Sequence, residues 1–502
     1  MTRAQGTGVE LLAYADRLGG DLSSLERLLD GPLRVFQGVH ILPFYVPFDG
    51  ADAGFDPVDH SSVDPRLGDW DTIRSIASRR DVTADLIVNH VSSHSREFAD
   101  WLARGTESPN DGMFLTFDTV FPYGASEADI TRFYRPRPGL PFTPYRSEDG
   151  RRHLVWTTFL PDQVDLDVDA NAAKEYFRRI LRTLADAGVT TVRLDAVGYA
   201  IKTAGTDSFM TAETLAFVPR ITAMAHAVGL QVLVEVHAHY SQQLAIAPLV
   251  DFVYDFALAP ILLHSLGTGT VDRLGRWLAI RPTNAITVLD THDGIGIIDA
   301  GPAGNRPGIL DFEDMAAIFA RADVATSGHS RIASTLPEWT KLPHQINATF
   351  FSALGANVDD YLLARAIQLW VPGRPQLYYV GLLGGLDDVD LFRKTASGRD
   401  VNRHRYSSEE LDAALTSDTA RALLELARIR SEHPAFAGIF SSETHGESSM
   451  EFTWTAAGAS ARLSVDVSVA RRRFAIRLAS DSGNRKIDGL AALLYPASEG
   501  SV

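Results

Sequence analysis

The sequence predicts an α/β protein built on a closed (β/α)8 TIM barrel, with long inserted loop domains after the third and seventh strands and a small C-terminal antiparallel β domain. Three observations carry this. Eight short apolar, β-branched runs recur along the chain, most followed by helical periodicity. Two of the intervals between them are too long for simple connections. After Pro434 the pattern changes to strict alternation.

The runs are VELLAYAD (Val9 to Asp16), GVHILPFY (Gly38 to Tyr45), ADLIVNH (Ala84 to His90), TTVRLDAV (Thr190 to Val197), LQVLVEVH (Leu230 to His237), FVYDFALA (Phe252 to Ala259), AITVLDTHD (Ala285 to Asp293) and QLYYVGLL (Gln376 to Leu383). Near-continuous apolar runs suit parallel strands buried on both faces. WDTIRSIASRR, AAKEYFRRILRTLADAG and AETLAFVPRITAMAHAVG read as intervening helices, the last two ending at Gly188 and Gly229, where a left-handed residue closes the helix. A doubly wound open sheet is the alternative. Domain spans follow: residues 1–91, 168–293 and 373–434 for the barrel, 92–167 and 294–372 for the inserts, 435–502 for the β domain. In the last, SSMEFTWTA, ARLSVDVSV and RRRFAIRLA read as antiparallel strands, with Arg471 to Arg473 on a solvated face or strand edge.

Composition narrows the function. The chain has 502 residues, 45% hydrophobic and 22% charged, as a globular protein does. Its 47 basic and 63 acidic side chains give a net charge of −16, which argues against nucleic acid as partner. Cysteine is absent, excluding disulfides, thiolate zinc sites and cysteine nucleophiles, and the expected location is the cytoplasm. No signal-peptide pattern or spanning apolar run is read, so no membrane is expected, and the molecule is expected to be a monomer or homodimer. No phosphate-binding loop of the GxxxxGK[ST] kind occurs.

In such a barrel the active site gathers at the C-terminal strand ends. Those ends carry Asp52, His90, Arg193, Asp195, Glu235, His292 and Asp293. One would be a cap or salt bridge; seven point to a carboxylate-based site. Paired carboxylates suggest glycosyl chemistry, retaining when ~5–5.5 Å apart and inverting when wider. His237 and His239 mimic a metal pair but lack a third ligand, so packing or supporting roles are expected, with no metal and no cofactor.

Taken together, ADAGFDP, DLIVNH, VRLDAVG, VLVEVH and LDTHDG resemble the α-amylase superfamily, glycoside hydrolase family 13. HILPFYVPFDGADAGFDPVDH, YRPRPGLPFT, DAVGYAIKTAG, TVLDTHDGIG and GRDVNRH resemble its sucrose phosphorylase subfamily, over roughly Val9 to His404. The resemblance implies Asp195 as nucleophile, Glu235 as general acid/base and Asp293 as transition-state stabiliser. It implies that Arg193 keeps Asp195 ionised, that His90 and His292 donate to the glucosyl unit, and that Asp52 and Arg399 close the far end of the pocket. Phe55 and Gln163 would line it, although alone each reads as core and as solvated amide. Some superfamily members bind calcium near the residue matching Asn89; this subfamily implies no essential metal.

The acceptor side departs from the subfamily. There the counterpart of KLPHQIN carries an aspartate and a tyrosine before the glutamine, whereas this chain has Lys341, Leu342, Pro343, His344 and Gln345. Lys341 and His344, with Tyr134, Arg135 and Arg137, would form a cationic acceptor site, although a lone Lys341 is as readily solvated. The resemblance then favours cleavage of sucrose 6F-phosphate by inorganic phosphate into α-D-glucose 1-phosphate and fructose 6-phosphate. Sucrose phosphorylase and glucosylglycerol or glucosylglycerate phosphorylase activities are the alternatives; a non-catalytic α-amylase-like subunit is the reading from another class, which the three carboxylates disfavour. Anionic substrates in an acidic protein need local cations to overcome its field, which salt screens over ~8 Å.

Overall fold

The structure is a computed structural model that describes residues 8–50, 52–135, 139–334, 343–481 and 483–495. All eight expected runs form strands: β1 (Glu10–Ala13), β2 (Gly38–Ile41), β3 (Asp81–Ile87), β4 (Thr191–Asp195), β5 (Gln231–Val234), β6 (Phe252–Asp255), β7 (Ala285–Thr287) and β8 (Arg374–Tyr378). They pair in parallel in sequence order, and β1 closes on β8 with Glu10 opposite Gln376. Alternate residues point inward, so Glu10, His40, Asp85, Arg193, Tyr254 and Gln376 meet inside while the intervening apolar residues face the outer helices.

The helix Asn171–Asp186 buries Ala173, Tyr176, Phe177, Ile180, Leu181 and Leu184, one stripe at helical spacing, against the barrel. Gly188 follows at φ 81°, as the sequence suggested. Between β3 and β4 the chain adds the helices Arg96–Arg104, Phe117–Val120 and Glu127–Arg132 and the hairpin Phe142–Arg146 with Arg152–Trp156. The interval between β7 and β8 holds the helix Phe312–Ala325 and then Val358–Trp370, a buried crossover helix leading into β8 that lies within the span 294–372. No described helix is long and apolar enough to cross a membrane.

The C-terminal sheet runs β9 (Ile439–His445), β10 (Ser449–Ala456), β11 (Ala459–Asp466), β12 (Arg473–Ser480) and β13 (Gly483–Asp488), all antiparallel. Met450, Phe452 and Trp454 alternate inward, and Trp454 Nε1 donates to the Trp370 carbonyl at 2.6 Å. In the arginine run Arg471 and Arg473 are exposed as expected, whereas Arg472 reaches Asp360 and the Leu266 carbonyl, fastening this sheet to the barrel helices.

Candidate active site

β4 ends on Asp195, and two-residue spacing puts Arg193 on the same inner face. Arg193 is nearly fully buried. Its Nη1 lies 3.0 Å from Asp195 Oδ1 and also bonds Asp85, and its Nη2 lies 2.9 Å from Glu235 Oε1, the residue following β5. One guanidinium therefore serves three carboxylates. Burial pushes the Asp195 carboxyl well above the ordinary range; Arg193 opposes this, and the neighbouring Glu235 carboxyl adds to it. After Asp195 the chain turns sharply, with Ala196 in the left-handed region at φ 56°, a strain of the kind found where a side chain must be aimed.

His292 and Asp293 lie beyond β7, on a loop that the GRDVNRH segment clamps. Asn402 Nδ2 donates to the carbonyls of Thr291 at 2.5 Å and Asp293 at 3.1 Å, and Arg403 Nε to that of His292 at 2.8 Å. Arg399 lies 2.8 Å and Arg403 3.6 Å from Asp293 Oδ1. Against burial, Arg399 and Arg403 hold the Asp293 carboxyl far below the usual range. Gly294 permits the loop's close approach to the chain opposite, since a Cβ there would meet Asn347 Oδ1 at 2.4 Å and the Ile346 carbonyl at 2.7 Å. Burial keeps the His292 imidazole neutral, and its ring stacks on Phe55 with centroids 4.8 Å apart.

Phe55 forms a wall of this space. Its carbonyl accepts from His90 Nε2 at 2.9 Å and from Gln163 Nε2 at 3.3 Å, and Gln163 also donates to Asp52 at 2.8 Å. His90 differs from its expected role: with Nε2 on that carbonyl and Nδ1 3.3 Å from Asn89, both ring nitrogens are engaged within the protein. Beside it Lys202, which sequence reasoning missed, is buried with its ammonium 2.7 Å from both Asp165 and Asn89 Oδ1. Lys202→Met should destabilise the fold by about 3–5 kcal/mol, because Asp165 would keep a buried charge without its cation; denaturant unfolding monitored by tryptophan fluorescence checks this.

The two inserts meet at the rim. Tyr134 OH lies 3.1 Å from His344 Nδ1, and burial holds that imidazole below its ordinary range. Gln345 pairs with Gly296 in a short antiparallel ladder and donates to Asn347 at 2.9 Å. Arg135 departs from the expected anion-facing role: Nε donates to the Thr158 carbonyl at 3.0 Å, and Nη2 to those of Thr157 and Phe159 at 3.2 and 3.3 Å. Arg137 and Lys341 lie outside the described residues.

His237 was expected in a packing or supporting role, whereas its partner Asp299 was not singled out. His237 sits 3.7 Å from Glu235, stacks on Phe256, and has Nδ1 3.3 Å from buried Asp299. Against burial, Asp299, then Glu235 and Asp293, hold the imidazole above its ordinary range. His239 instead contacts Ser241 at 2.8 Å and the Pro307 carbonyl at 3.1 Å. Glu235, His237 and Asp293 bring ligand-type atoms within 4.8 Å of one another. Arg193 and Arg399 already put positive charge on both carboxylates, which would repel a bound cation.

An eight-stranded parallel barrel with carboxylates clustered at its C-terminal end and an antiparallel β domain behind it defines an α-amylase-type protein, and residues 32–242 match the α-amylase catalytic-domain family. A sucrose phosphorylase of Agrobacterium vitis is 50% identical over 449 residues, covering 89% of this chain and 92% of that protein. A sucrose 6(F)-phosphate phosphorylase of Thermoanaerobacterium thermosaccharolyticum is 36% identical over 460 residues, covering 89% and 92%. The crystal structure of sucrose 6F-phosphate phosphorylase from Thermoanaerobacter thermosaccharolyticum superposes with a TM-score of 0.90 at 34% identity, over 97% of this chain and 98% of that one. The chain belongs to the sucrose phosphorylase family, the glycoside phosphorylases of glycoside hydrolase family 13.

Proposed function

We propose that the protein is a retaining glucosyl phosphorylase whose preferred donor is sucrose 6F-phosphate. The observation that carries the chemistry is Arg193 joining Asp195 and Glu235 through adjacent nitrogens, an arrangement that favours the narrow carboxylate spacing of double displacement. Asp195 attacks the anomeric carbon as the glucosidic bond breaks, and its electron pair leaves on the fructosyl oxygen, which takes the proton of Glu235. The reaction thus needs a proton on Glu235 and the negative charge on Asp195. A phosphate oxygen then attacks the β-glucosyl ester, the bond to Asp195 breaks, and Glu235 accepts the proton if phosphate arrives monobasic. The product is α-D-glucose 1-phosphate. Asp293, kept ionised by Arg399, holds sugar hydroxyls as charge develops on the ring. Asp52, Phe55, Gln163, His90 and His292 shape a pocket for a single glucosyl unit, in which no step requires a cofactor.

His344 carries the choice of donor. With Nδ1 facing the Tyr134 hydroxyl, Nε2 is left to donate to an arriving phosphate, which would favour the charged imidazole with Tyr134 then accepting from Nδ1–H. A second reading, unphosphorylated sucrose, is favoured by the engagement of Arg135 with three carbonyls and by the 50% identity to a sucrose phosphorylase. Initial rates of glucose 1-phosphate formation from each donor decide between them: the first reading expects faster turnover of sucrose 6F-phosphate, and equal or faster turnover of sucrose overturns it. His344→Tyr should lower kcat/KM for the phosphorylated donor about tenfold, the worth of one charge-assisted hydrogen bond, with little change for sucrose. The substrates and the lack of cysteine favour a cytoplasmic enzyme.

A further inference from the structure

Below the carboxylates, a polar chain runs down the inside of the barrel. Asp85 is fully buried; one of its oxygens bonds Arg193 and the other lies 3.1 Å from His40 Nε2. An ionised carboxylate only accepts, so that ring nitrogen carries the hydrogen. The Asp85 carbonyl meanwhile accepts from Tyr45 OH at 2.7 Å and faces His60 Nε2 at 3.4 Å. On the far side of the ring, His40 Nδ1 lies 3.5 Å from Tyr254 OH. Tyr254 donates to Gln376 at 3.3 Å, Gln376 to Glu10 at 3.2 Å, and Thr83 to Glu10 at 2.6 Å. Strands β1, β2, β3, β6 and β8 thus all contribute to holding one side of Asp85.

We propose that His40 is a positioning residue for glucosyl transfer: by holding one oxygen of Asp85 it fixes the other on Arg193, and so sets the place and the effective charge of the cation that Asp195 and Glu235 share. The reasoning is one of competition. Arg193 faces Asp85 from β3, Asp195 on its own strand, Glu235 beyond β5, and the rings of Phe55 and Tyr254. Any donor that shares the charge of Asp85 leaves more of Arg193 for the two reacting carboxylates. Despite burial, Arg193 and then His40 keep the Asp85 carboxyl down at about 2, so Asp85 remains an anion throughout the working range. Around the reacting pair, Asp52 and Asp85 add negative charge to Asp195, and His237 faces Glu235.

The inference rests on the roles proposed for Asp195 and Glu235, and its test separates the two. The pH profile of kcat/KM for phosphorolysis is measured for the wild type, His40→Leu, His40→Gln and Asp85→Asn. Loss of the donor in His40→Leu lets Asp85 draw more on Arg193, so both limbs move to higher pH by about half a unit and kcat/KM falls about tenfold. His40→Gln, which keeps an N–H toward Asp85, restores most of both. Asp85→Asn removes an anion and moves the limbs the opposite way, to lower pH. Damage to packing alone would lower rates without opposite displacements, and unmoved limbs in folded variants overturn the proposal. If His40→Leu does not fold, Asp85→Asn carries the test by itself: its limbs should move to lower pH, and limbs that stay put in it are equally contrary. Failure of the underlying reading shows differently, as a wild type without phosphorolysis or an active Asp195→Asn.

Discussion

Asp195→Asn, which removes the proposed nucleophile, lowers phosphorolysis by at least about 10⁴-fold, because a nucleophile and the groups around it act as a unit. Its thermal midpoint, by contrast, stays at or above that of the wild type. Three carboxylates share Arg193, and burial already disfavours the charge on Asp195. Removing one of them relieves like-charge repulsion while Asp85 and Glu235 keep the guanidinium paired. Activity loss with a preserved or raised midpoint is therefore the signature of a strained catalytic group. A variant that retains substantial turnover, or loses it only by unfolding, contradicts the role. Azide added to the folded variant should replace the missing carboxylate and yield β-glucosyl azide.

Glu235→Gln separates the two chemical steps. Phosphorolysis falls about 10²–10⁴-fold, the usual contribution of a positioned general acid. A glucosyl donor with a good leaving group, such as α-glucosyl fluoride, needs little protonation, so the formation of the glucosyl-enzyme should fall far less with it. Glutamine keeps an oxygen for Arg193 Nη2, and the variant should fold normally. Equal losses on both donors would assign Glu235 to binding or structure and remove it from acid/base work.

Much of this was legible in the sequence. Every barrel strand was marked by an apolar run, because its helix-facing side is buried and apolar even where the inner face carries polar residues. Asp195, Glu235 and Asp293 stood out as ionisable groups ending such runs. The support beneath them did not. His40 and Asp85 each appear as a single polar residue inside an apolar stretch, and only closure of the barrel brings them together from β2 and β3. Lys202, in a loop reading IKTAG, has the look of a solvated lysine; its burial depends on Asn89 and Asp165, both far away in sequence. Asp299 gave a fainter signal, an acid closing the apolar stretch IGIID that could have been weighed as buried. Arg135, expected to face an anion, donates to carbonyls of its own insert, and backbone carbonyls leave no trace in residue type.

The central claim is double displacement through Asp195, and the anomeric configuration of the product tests it most directly. Proton NMR of the glucose 1-phosphate formed in the first minutes, before any equilibration, should display the small H1–H2 coupling of the α anomer alone. A β product would mean a single displacement by phosphate, and would contradict both the covalent intermediate and the assignment of Asp195.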